Sequence, residues 1–159
     1  MHVEVCSPYA AEVRPSIAPL RRRDDLARLD LIDRYSCLGE LASGDAVASL
    51  MRPYWRQPIS MLARWILERK VISLRWRGEL LLPMFQFERP RMTPGRAIAC
   101  CSREFGDLVD DEGFAAWFVH PCEWLNERMP VDVLSADPDA VVDAAHRTRN
   151  AFRMLREGH

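Results

Sequence analysis

Four side chains of the kinds that do covalent or metal chemistry fall between positions 100 and 122: Cys100, Cys101, His120 and Cys122. A thiolate beside an imidazole makes a nucleophile with its base, and a set of such ligands can hold zinc. Their spacing argues against both. An adjacent Cys-Cys pair followed by H-x-C departs from the short, regular separations of structural zinc sites. His120 stands between an apolar run and Pro121, His146 falls off the apolar stripe of its segment, and His2 and His159 are terminal. No serine sits in a G-x-S-x-G elbow, and no glycine-rich loop is available to cradle phosphate. Asp110, Asp111 and Glu112 are consecutive, which suits a helix start better than paired acid–base work. A small enzyme using Cys122 and His120 therefore has little behind it. The residues point to binding, with no catalytic set, metal or cofactor expected.

The charge pattern suggests what could be bound. Basic residues are 21 Arg and one Lys (Lys70), and the net charge is only −1, so bulk charge recruits neither nucleic acid nor membrane. Residues 51–79 nevertheless hold seven basic and two acidic residues, whereas residues 81–159 hold nine basic and thirteen acidic. Two surfaces with different partners, or two ordinary solvated faces, fit this division. Arginine and glutamine near a helix start can reach phosphates or base edges. Arg56, Gln57, Ser60, Arg64 and Arg69 form such a set, with Arg52, Lys70, Arg75 and Arg77 around it.

Those residues need elements to position them. Asp45 is expected to cap a short helix to Met51, stopped by Pro53. Pro58 suits the first position of a second helix running to about Lys70, with Ile59, Leu62, Ile66 and Trp65 buried. Two short helices across a tight break have a helix-turn-helix silhouette. Residues 71–76 then alternate as a strand, Arg77-Gly78 turns, and residues 79–87 return as an apolar strand. Such a hairpin has the place of a winged-helix wing. Its strands are too apolar for a solvated wing, so a role covering the core is preferred.

Around this middle, a helix is expected from Asp24 or Asp25, with Leu26, Leu29, Ile32, Tyr35 and Leu38 on one face. Thr93 and Pro94 look like the cap and first residue of another, with Ile98, Cys101, Phe105 and Leu108 inward. Asp110 or Asp111 starts a helix carrying Phe114, Trp117 and Phe118; Pro121 starts a brief one with Trp124 and Leu125; Pro130 opens a further turn. Asp137-Pro138 caps a last helix to about Arg156, with Val141, Ala145, Thr148, Phe152 and Leu155 as its stripe. The fold expected is mainly α. An irregular arm spans residues 1–23, a helix-turn-helix-like region with a β-hairpin spans 24–92, and a helical module spans 93–159. At 48% hydrophobic the chain can bury a real core, and no apolar run reaches the length of a membrane span. The first twenty residues lack a signal-like apolar stretch, so a cytoplasmic location is expected.

Residues 115–136, AAWFVHPCEWLNERMPVDVLSA, bring these strands of argument together. They read as a helical surface made to be buried, in the chain's own core or against a partner. Trp117, Pro121, Trp124-Leu125, Pro130-Val131-Asp132, Leu134 and residues 141–145 occur in an order that resembles the Xre/MbcA/ParS toxin-binding domain of bacterial type II antitoxins. Leu82-Pro83-Met84-Phe85-Gln86-Phe87 resembles the Pro-x-Phe-Gln-Phe that precedes that domain, and Arg69, Val71 and Trp76-Arg77-Gly78 fit its helix-to-hairpin passage. The resemblance covers residues 45–155. Two positions depart: Cys122 stands for the family's Asn, and Glu127 for its Gly, so the backbone at Glu127 is expected to avoid positive φ.

The resemblance implies an antitoxin that blocks the pocket of a RES-type, NAD-degrading toxin and represses its own operon. Partners expected on this basis are that toxin, operator DNA and further copies of the chain, without a membrane. NAD would be the toxin's substrate. Trp117, Phe118 and Leu125 are expected in the core, and Glu123, Trp124, Glu127, Arg128, Arg149, Arg153 and Arg156 on the face a toxin meets. The alternative is a stand-alone helix-turn-helix regulator of transcription.

Overall fold

A computed structural model describes residues 23–158, so the arm expected over residues 1–23 lies outside the described residues except for its last position. The described chain is mainly helical with a small antiparallel sheet. In order it runs α1 (Arg23–Leu38), β1 (Leu41–Ser43), α2 (Gly44–Met51), α3 (Pro58–Leu67), β2 (Leu74–Trp76) and β3 (Glu79–Pro83). A 3-10 turn (Met84–Gln86), the short strands β4 (Phe87–Glu88) and β5 (Thr93–Pro94), and α4 (Arg96–Phe105) follow. Then come α5 (Asp111–Phe118), a 3-10 turn (Glu123–Leu125), α6 (Pro130–Leu134) and α7 (Pro138–Glu157). No helix among these residues is long and apolar enough to cross a membrane.

Strand β3 explains the plan. It lies between β1 and β2, pairing Leu41 with Pro83 on one side and Leu74 with Leu81 on the other. Side chains alternate along a strand, and here both faces are buried. Leu81 joins Leu41, Leu74 and Trp76 in a core shared with α1, α4, α5 and α7. Leu82 joins Ala42 and, from α2 and α3, Val47, Met51, Leu62 and Trp65 in a second core. A sheet covered on both faces reads as a continuous apolar run, which is why this hairpin looked unlike a solvated wing. Arg77 (φ 51°) and Gly78 (φ 79°) form its two-residue turn, a geometry that matches the strand twist.

Several element boundaries differ from expectation. Ser43, not Asp45, caps α2 by accepting from the Ala46 N–H at 3.1 Å. The helix expected from Thr93 begins at Arg96, because Thr93 and Pro94 pair as a strand with Phe87 and Glu88. Helix α3 stops at Leu67, short of Lys70, and Arg69 turns left-handed at φ 50°. The strand expected over residues 71–76 forms only at its end, since the buried Gln86 amide holds Ile72 instead. Gln86 Oε1 accepts from the Ile72 N–H at 2.7 Å, and its Nε2 donates to the Ile72 carbonyl at 2.8 Å. The return strand expected over residues 79–87 stops at Pro83 and tightens into the 3-10 turn that carries Gln86.

Asp110 caps α5 and Asp137 caps α7, each through a side-chain oxygen on the N–H three residues on. Three apolar stripes are displaced: in α3 only Leu62 and Trp65 are buried, and Ile59, expected inward, is exposed. In α1 the inward residues are Leu31, Ile32 and Tyr35, while Leu26 is exposed. In α7 they are Val141, Ala144 and Ala145; Phe152 and Leu155 lie beyond the core and are exposed. Tyr35 anchors α1 by donating from its buried hydroxyl to the Ala115 carbonyl at 2.7 Å.

Candidate functional site

The segment after α5 is a small locked loop. Leu125 drops into the core and Cys122 is buried beside it. Cys122 N–H donates to the Arg128 carbonyl at 3.0 Å, and the Glu127 N–H returns to the Cys122 carbonyl at 3.0 Å. Arg128 N–H closes the tip onto the Leu125 carbonyl at 3.2 Å. Asn126 (φ 56°) and Glu127 (φ 63°) are both left-handed, so the tip is a primed turn. The expectation that Glu127 avoids positive φ is overturned: the hydrogen bonds on either side fix a conformation that glycine adopts at no steric cost. Pro121 does not open a helix here either, since the turn Glu123–Leu125 is 3-10 and begins after Cys122.

This loop presents Trp124 at its rim, 42% exposed, with the Arg147 guanidinium 5.7 Å from the ring centroid. Arg147 is held in turn by Asp143 at 2.8 Å, one turn back on α7. Glu123, Glu127 and Arg128 are exposed around it, while Phe118 and Leu125 are buried and Trp117 half-buried. The sequence did not point to Arg147 as a member of this patch; the i,i+4 Asp143–Arg147 spacing was the available signal.

The basic end of α7 divides. Arg149 is half-buried, with Nη1 3.0 Å from Glu104 Oε2, and His146 Nδ1 meets the same oxygen at 3.0 Å. Arg149 is thus committed to α4 rather than presented to a partner. Arg153 and Arg156 stay exposed beside Phe152, Met154 and Leu155.

The second set of expected residues sits on and after α3. Arg56, Gln57, Ser60 and Arg64 are exposed there. Arg69 is not available. Its Nε lies 2.6 Å from Asp111 Oδ1, Nη1 donates to the Gly106 carbonyl at 3.0 Å, and Nη2 donates to the Val109 carbonyl at 2.9 Å. With its guanidinium also 5.9 Å from the Phe114 ring centroid, Arg69 ties α3 to α5 and is withdrawn from any phosphate.

The chemistry-bearing residues are placed for structure. Cys101 is buried between α4 and α7, and burial first, then Cys100 and Glu104, pushes its thiol up to about 12. A thiol held protonated is a poor nucleophile. His120 Nδ1 lies 2.7 Å from the Ala116 carbonyl, closing the end of α5. Among the described residues, no three His, Cys, Asp or Glu converge as metal ligands. The chain matches no protein-family model, no curated protein and no solved structure.

Proposed function

We propose that this chain is an antitoxin-like protein that binds and inhibits a RES-type, NAD-degrading toxin. The observation that carries the reading is the φ of 63° at Glu127. In the family the sequence resembles, glycine stands at this position, and the loop here keeps the backbone shape that glycine serves. On that turn Trp124, braced by Arg147, offers the aromatic anchor typical of protein interfaces, with Glu123, Glu127 and Arg128 as its charged rim. Arg153 and Arg156 extend the surface along α7. The reading calls for no cofactor and no catalytic residue in this chain, and it places toxin and inhibitor together in the cytoplasm. Co-expression with a RES-domain toxin, reading cellular NAD and growth, tests it. Protection is expected with the cognate toxin; loss of NAD regardless of this chain would overturn the reading.

The runner-up is a stand-alone DNA-binding regulator, favoured by the exposure of Arg56, Gln57 and Ser60 at the start of α3. In that reading α2 and α3 form a helix-turn-helix. Fluorescence anisotropy against the chain's own upstream DNA at varied salt decides it: binding no tighter than to scrambled DNA removes sequence-specific repression.

A further inference from the structure

Helix α3 carries more apolar surface than its core uses. Leu62 and Trp65 face the second core. At the helical period, Ile59, Ala63 and Leu67 continue the apolar stripe past Ile66, which packs against the edge of that core, over a further arc of about 80°. Ile59 is 66% and Leu67 86% exposed, so protein covers little of this seam. Beside it runs a groove of 330 Å³ between α3, the start of α2 and the hairpin turn, lined by Asp45, Ala48, Ile59, Ala63, Ile66 and Leu80. The patch therefore carries both knobs (Ile59, Leu67) and a hole floored by the small residues Ala48 and Ala63. A surface holding both halves of a fit is what an isologous interface requires.

We propose that this face pairs with a second copy of the chain, α3 beside α3 in parallel about a two-fold axis, with Ala63 at the closest approach. Charge selects the parallel arrangement. The seam has Arg64 on one flank and the Asp45 wall of the groove on the other. A two-fold axis along the helices brings opposite flanks together, so Arg64 meets the partner's Asp45 twice. Antiparallel pairing would instead set Arg64 against the partner's Arg64. Among the described residues Arg64 pairs with Glu68 at 3.5 Å, and its side chain is mostly exposed, so it can swing towards a partner. Such pairing covers the face that a DNA-reading helix would insert into a groove. It stands independently of the antitoxin reading.

Sedimentation velocity of the full chain at micromolar concentration tests this. A dimer is expected. Ala63→Glu, at an exposed position, is expected to give a monomer with unchanged far-UV circular dichroism. Arg64→Glu and Asp45→Arg should each weaken the dimer, by about two- to fivefold for a rim ion pair. An equimolar mixture of these two variants, and the doubly substituted chain, should both recover, because each restores opposite charges across the axis. A chain that is monomeric throughout, a dimer indifferent to Ala63→Glu, or charge reversals that do not recover would overturn the proposal.

Discussion

Arg69 and Asp111 meet at 2.6 Å across 42 positions of sequence, joining the residue just past α3 to the first residue of α5. Arg69 reaches this place because its backbone turns left-handed, and it satisfies the Gly106 and Val109 carbonyls on the way. Arg69→Ala removes all three contacts at once. We expect a loss of about 2 kcal/mol, mainly from carbonyls left without a donor, and a fall in melting temperature of about 4–8 °C. Any non-specific DNA binding should keep its salt slope, since this guanidinium neutralises no phosphate. A slope reduced by one charge, with stability unchanged, would return Arg69 to the nucleic-acid set.

Glu127→Gly should stabilise the chain. At φ 63° a side chain costs about 1 kcal/mol that glycine avoids, and the substitution creates Asn-Gly, the pair best suited to a primed turn. A thermal melt raised by about 2–4 °C is the expected outcome. A lowered melt would mean that the Glu127 side chain contributes more than its backbone strain removes.

Trp124→Ala separates binding from folding. With the ring at the rim, stability should change by less than about 1 kcal/mol, whereas affinity for a toxin should fall at least about tenfold. Calorimetry and a pull-down on the same preparation make the comparison. Equal loss in both would place Trp124 in the structural core rather than at an interface.

Alkaline pH should weaken the fold. Burial raises the Cys101 thiol from 9.0 to about 12 and raises the Tyr35 phenol as well. The unfolded chain releases these protons first, so the folded state holds more protons over that range. Stability is then complete below pH 9 and declines as pH rises towards 12. Cys101→Ala should flatten the pH dependence of the urea midpoint between pH 9 and 10, even if it lowers stability at neutral pH.

Much of this was legible in the sequence because it depended on local rules. Asp110 and Asp137 announce caps, Pro58, Pro130 and Pro138 open their helices, and Arg77-Gly78 turns the hairpin. What was hidden depended on contacts between distant segments. Leu41 to Ser43 is a strand only because β3 is there to pair with it. Gln86 looks like any surface amide until it is seen clasping Ile72. In the site, Glu123, Trp124 and Arg128 were expected at the surface from the resemblance and are exposed, but the locking of Arg69 and Arg149 by Asp111 and Glu104 had no signal in the sequence. The left-handed Glu127 was misread because residue type alone reports preference, and the bonds around Cys122 outweigh it.

Consecutive leucines of β3 belong to different cores, Leu81 to one and Leu82 to the other. The strand is therefore a party wall: neither room can be emptied without opening the other. A break near residue 92 would leave all three strands with the first piece and strip from one face of that sheet the helices α4, α5 and α7 that cover it. One peptide bond separates Leu81 from Leu82, so a shift of β3 that repacks one core displaces a side chain of the other.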